Sequence, residues 1–126
     1  PDGLAFDGRG ILWIQTDNGA DEVTSYTNDQ ILAVVPSKLT DENGDQAVIG
    51  ADNQAELKRF FVGPNGCEVT GFTISPDYKS LFVNIQHPGN WPYSEDAAEE
   101  TPAGVSVRPR ASTVVIRRED GGEIAV

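Results

Sequence analysis

The chain repeats itself: GLAFDGRGILWIQTD, beginning at residue 3, lines up with GFTISPDYKSLFVNIQH, beginning at residue 71, if one extra residue is allowed in the second turn. Leu12, Trp13 and Ile14 then fall on Leu81, Phe82 and Val83. Each copy reads as strand, turn, strand, because short runs of β-branched and aromatic residues are punctuated by Gly, Pro, Asn and Asp. A spacing of roughly 70 residues with four strands per unit is the pattern of propeller blades carrying long insertions.

Strands are expected at 3–7, 11–16, 29–35 and 56–62, then at 69–75, 80–85, 112–118 and 122–126. No segment has helical periodicity. The expected fold class is therefore all-β: two four-stranded antiparallel blades of a β-propeller in an incomplete ring, blade one about residues 1–62 and blade two about 66–126. A chain of 126 residues can bury one core, so all of it reads as one propeller piece. It opens at Pro1 inside a turn without an initiator Met, which predicts an excised part of a longer protein. Two blades cannot close a ring, and their open edges and apolar outer faces call for the remaining blades or for self-association with a second copy. Residues 18–28, 37–54 and 88–111 read as long polar loops.

A formal charge of −11 argues against nucleic acid as a partner, since phosphate binding needs clustered Lys and Arg. Most of that excess is solvated surface, the run Glu95, Asp96, Glu99, Glu100 included. Cys67 is the single cysteine, so no internal disulfide and no CxxC zinc knuckle is available. No apolar run approaches the ~18 residues of a membrane span. GxSxG, Walker and HExxH motifs are absent, which removes serine hydrolases, P-loop enzymes and zincins.

Antiparallel pairing sends Pro1–Gly3, Asp17–Gly19, Cys67–Thr70 and Gln86–Gly89 to one end of the blades, and the turns DGRG and PDYKS to the other. Glu68, Thr70, Gln86 and His87 are thereby expected on one face. Hard cations need several oxygen ligands, and carboxylates on converging turns supply them. Glu68 is the first candidate metal ligand, Asp17 the second and Asp2 the third, although an Asx turn in TDNG and the turn chemistry of PDG explain the two aspartates without function. His87, the only histidine, is a candidate to ligate a metal, to support a ligand or to contact a substrate phosphate, although a structural role suffices for a lone histidine; Arg110 of VRPRAS, with Arg108, could hold phosphate or carboxylate, or form ordinary salt bridges with the many acids. Cys67 could be a soft iron ligand or a small buried residue, and the buried reading is favoured. Trp13 and Phe82, at equivalent repeat positions, are assigned to the core.

PDGLAFDGRGILWIQTD, LKRFFVGPNGCEVTGFTISPDYKSLFVNIQHPG followed by NWP, and RPRASTVVIRREDGG together resemble the C-terminal part of the PhoX family of bacterial alkaline phosphatases. The joint occurrence of GCEVTG and NIQHPG is specific, whereas PDG before a strand is shared with gluconolactonase-like propellers. The resemblance implies a periplasmic or secreted propeller, exported by the twin-arginine route, that hydrolyses phosphate esters with calcium and iron. It strengthens Glu68 of GCE and Asp17 of TD as metal ligands and implies that further ligands lie outside these residues. A gluconolactonase-like calcium propeller and a non-catalytic binding or scaffold propeller are the competing readings.

Overall fold

In the computed structural model, residues 1–17, 27–64, 66–88 and 110–125 are described. Two antiparallel sheets make up the fold. The first has the order β1 (Gly3–Phe6), β2 (Leu12–Gln15), β3 (Gln30–Val34) and β4 (Lys58–Val62). The second has β5 (Glu68–Ile74), β6 (Leu81–Gln86) and β7 (Ser112–Ile116). This is the all-β, open propeller architecture that the repeat predicts, with one strand fewer in the second sheet among the described residues.

The missing strand is the one expected at 122–126. Gly121, at φ +71°, turns the chain instead. Ile124 then donates its N–H to the Tyr78 carbonyl at 2.8 Å and accepts Arg9 Nη1 on its own carbonyl at 2.7 Å. Both backbone groups that a ladder would use are thus committed across the two turns, and the Ile124 side chain is sealed in the core. The loop expected at 37–54 is bounded by two single 3-10 turns, Pro36–Lys38 and Gln54–Glu56, each too short to leave a periodicity in the sequence.

The sheets pack face to face. Ile11, Trp13, Ile31 and Ala33 of the first meet Val69, Leu81, Val83 and Ile85 of the second, with Ile124 closing the end. Trp13 has no exposed surface; its ring stacks on Phe72 at 5.2 Å and meets Phe60 edge-on at 4.9 Å. Phe82 differs from the expectation of a core residue. It is half-buried and alternates with the buried Leu81 and Val83, so it points away from the first sheet. The repeat itself explains this. Equivalent residues of successive blades face the same way around a ring, so Trp13 faces the second sheet while Phe82 faces the place of a following one. By the same rule Leu12 and Ile14, matched to the buried Leu81 and Val83, lie with the exposed Leu4 and Phe6 on the side where a preceding sheet would pack.

A bulge adjusts the second sheet. Pairing runs from Thr70↔Asn84 to Thr73↔Phe82, so three steps on β5 match two on β6. The extra residue restores the inward aim of Phe72 and Ile74, and Gly71 supplies it at φ +67°. A Cβ at Gly71 would also collide with the Asn84 side-chain amide. Gly71→Ala is accordingly expected to cost about 1–3 kcal/mol, read as a lowered urea midpoint without a change in slope.

At the far end, the DGRG and PDYKS turns lock together. Asp7 Oδ1 accepts the Arg9 and Ile11 amides at 2.9 and 3.1 Å, and Oδ2 accepts Arg9 Nη2 at 2.8 Å, Arg9 Nε at 3.2 Å and Trp13 Nε1 at 3.2 Å. The Arg9 guanidinium lies 4.4 Å from the centre of the Tyr78 ring. One buried carboxylate therefore ties the first sheet's turn, its core tryptophan and the second sheet's turn into a single unit.

Candidate functional site

The opposite end carries the acids. Asp2 follows Pro1 into β1 and anchors its N–H on the Gln15 carbonyl at 2.9 Å, which fixes the β1 entry beside the β2 exit. Two residues after Gln15 comes Asp17, exposed. Glu68 opens β5 directly opposite Gln86, the last residue of β6, and Thr70 sits opposite Asn84. Strand alternation puts Glu68 and Thr70 on the side of β5 opposite to the buried Val69. The four residues expected on one face are thus brought to one strand end.

His87 follows at φ +35°, a bend that swings its ring back over the strand start. Its Nδ1 lies 3.0 Å from the Gly66 carbonyl, which can only accept, so Nδ1 carries a proton and donates it. Nε2 then faces Glu68 Oε2 at 3.7 Å, within ion-pair range but beyond hydrogen-bond length. The His87 and Glu68 side chains are only 18% and 14% exposed.

Burial pushes the Glu68 carboxyl above its ordinary value, and the negative charges of Asp17 and Asp2 push it further; His87 opposes them, and Asp29 adds to the rise. Glu68 therefore stands in the field of the two other sequence-predicted ligands. Among the described residues, however, no three of the His, Cys, Asp and Glu side chains stand close enough to hold a metal ion. The donors are the hard oxygens that calcium prefers, yet as a ligand set they are incomplete.

Arg110 is exposed and forms no ion pair among the described residues; continuing the β6–β7 register from Ile85↔Ser112 brings it level with His87, one strand further out. Arg108 and the run Glu95 to Glu100 lie outside the described residues. Cys67 is buried as expected. Burial, with the nearby Asp29 and Glu68 charges, pushes its thiol up to about 11, so it stays protonated and inert at neutral pH.

Asp29 was not among the sequence-predicted candidates. Buried to 6% exposure, it accepts the Thr16 hydroxyl at 2.6 Å, and its carbonyl accepts the Gly63 amide at 2.8 Å. Among the described residues it is a fourth acid at this end. Its place at the start of a predicted strand was the available signal, because strand starts and strand ends alternate between the two ends. Nearby, Gln15 Nε2 and Gln30 Oε1 are buried without a hydrogen-bond partner among the described residues. Gly3 leaves the Gln15 side chain its room, since any Cβ there would strike Gln15 Oε1.

The profile of the family described as Alkaline phosphatase PhoX matches residues 1–89. A solved structure of Pseudomonas fluorescens PhoX, in complex with vanadate, a transition state analogue, is similar with a TM-score of 0.65 and 41% sequence identity over 98% of this chain. The chain spans 18% of that protein's length. Comparison with curated protein sequences gives no match.

Proposed function

This chain belongs to the PhoX family of alkaline phosphatases, and on that premise we propose that it is a C-terminal propeller part of a metal-dependent phosphomonoesterase. In this reading residues 1–62 and 66–126 each form one blade. Glu68, Asp17 and Asp2 are part of a calcium and iron ligand set whose other members lie beyond these residues. His87 holds Glu68 from the side, and Arg110 serves as a phosphate contact. The observation that carries the reading is the coupling of Glu68 to Asp17 and Asp2 at one strand end, where no three such groups among the described residues close on an ion.

The partners follow from the packing. A preceding blade covers Leu4, Phe6, Leu12 and Ile14, and a following one covers Phe82; without them the chain associates through those same surfaces. The substrate of the longer protein is a phosphate ester. Its location is periplasmic or secreted, reached by twin-arginine export. No helix among the described residues is long and apolar enough to cross a membrane. Family membership favours this reading over the gluconolactonase-like and scaffold alternatives.

The purified chain, given calcium and iron, is expected to leave p-nitrophenyl phosphate unhydrolysed, whereas a longer protein containing it turns the ester over. Hydrolysis by the chain alone would refute the claim of incompleteness, and lactone rather than ester hydrolysis by the longer protein would refute the phosphatase reading.

A further inference from the structure

Far from the acidic end, a cavity of about 370 Å³ opens between the ends of β3 and β4 and the segment at Ala125. Its walls are apolar: Ile11, Ala33, Val34 and Phe60. Lys38, Lys58 and Arg59 stand on its lining as well, with Glu56 as the lone acid. This distribution runs against the composition of the chain, which carries 20 acids and only 9 Lys and Arg.

The three cations are also uncommitted. Arg9 and Arg118 are ion-paired to Asp7 and Asp120, and Arg117 donates to Ser80. Lys38, Lys58 and Arg59 are exposed, and none makes an ion pair or side-chain hydrogen bond among the described residues. Their neighbourhood in sequence does not demand such a grouping, since Lys38 reaches the cavity from the 3-10 turn after β3 while Lys58 and Arg59 open β4.

We propose that this cavity binds an anionic amphiphile: a short apolar body among Ile11, Ala33, Val34 and Phe60, ending in a carboxylate or phosphate held by Lys38 and by Lys58, which shares the strand face of Ala33. The volume lies within the range of small-molecule sites, and apolar walls with a few charged groups are their usual make-up. Cations on a low-dielectric rim hold an anion more strongly than the same cations dispersed over open surface. The site is independent of the phosphatase reading.

Isothermal titration of the chain with octanoate and with octyl phosphate, each below its micelle concentration, tests this. One saturable site per chain is expected for at least one of them, and comparing the two identifies which head group is preferred. Octyltrimethylammonium and inorganic phosphate alone should bind at least tenfold more weakly. The double variant Lys38→Glu, Lys58→Glu should lose at least tenfold in affinity while keeping its thermal midpoint, and Ala33→Leu should lose binding by filling the cavity. Absence of saturable binding by both anions, equal binding of the cationic amphiphile, or an unchanged affinity in the double variant overturns the proposal. Binding that disappears in a longer protein containing this chain also overturns it, by assigning the cavity to neighbouring polypeptide.

Discussion

Replacing Asp7 by alanine is expected to cost the chain about 3–5 kcal/mol, the usual effect of removing one partner from a buried charge pair. Its carboxylate is fully inaccessible and takes hydrogen bonds from Arg9, Ile11 and Trp13. Without it the Arg9 guanidinium, 18% exposed, keeps only its bond to the Ile124 carbonyl, a distant pairing with Glu123 and the Tyr78 face. Domains of this size hold on the order of 5–15 kcal/mol in total, so the variant should sit near its unfolding midpoint. Urea titration followed by tryptophan fluorescence reads the loss, and Trp13 itself reports on the lesion.

The same carboxylate has a pH signature. Burial alone would raise its pKa, but the hydrogen bonds from Arg9, Ile11 and Trp13 outweigh that and hold it below the ordinary aspartate value. The unfolded chain therefore binds the proton first as pH falls. The contribution of Asp7 is complete above the unfolded value of about 3.9 and is lost as pH drops through the lower folded value. In Asp7→Asn that part of the acid dependence should vanish. An unaltered acid limb would show that Asp7 is not the group being titrated.

The repeat made the sheets, their order and the two ends of the blades legible, because turn residues punctuate every strand and antiparallel pairing then fixes which turns meet. Two features were out of reach. Strand 122–126 has a plausible pattern in GEIAV, but Arg9 and Tyr78 claim the Ile124 backbone, and such a long-range commitment leaves no local trace. Phe82 is apolar and matches Trp13, yet its exposure depends on which side the next sheet would occupy. At the acidic end, Glu68, Asp17, Asp2 and His87 could be assigned to one end of the strands from pairing alone. Asp29 was signalled only by its place at a strand start, and the inward turn of its carboxylate to the Thr16 hydroxyl is fixed only once β2 and β3 are in register. Gln15 shares a strand face with Trp13, so alternation would have exposed its burial had the strand been read residue by residue.

Glu68→Gln should move stability and cation binding in opposite directions. The folded chain raises the Glu68 carboxyl through burial and the charges of Asp17 and Asp2, so between its unfolded and folded values the native state binds more protons than the unfolded one. Stability from this group is complete below the unfolded value and declines as pH rises through the folded one. At neutral pH the charged carboxylate is thus a net burden, and the isosteric amide relieves it: the variant should be more stable than the parent in the absence of metal, with a flatter pH profile on the acid side. Attraction to His87 works against this gain, but it ranks below burial and below the two aspartates. In a longer protein that contains this chain, the same change should lower calcium affinity by more than about a hundredfold, beyond the 10–100-fold typical of groups that only orient a ligand, and phosphatase activity should fall with it. A carboxylate retained at a cost to stability is what a cation site requires. Unchanged calcium affinity in the variant would reduce Glu68 to a turn residue, and reduced affinity without the gain in metal-free stability would mean that its neighbours do not repel it as their positions imply.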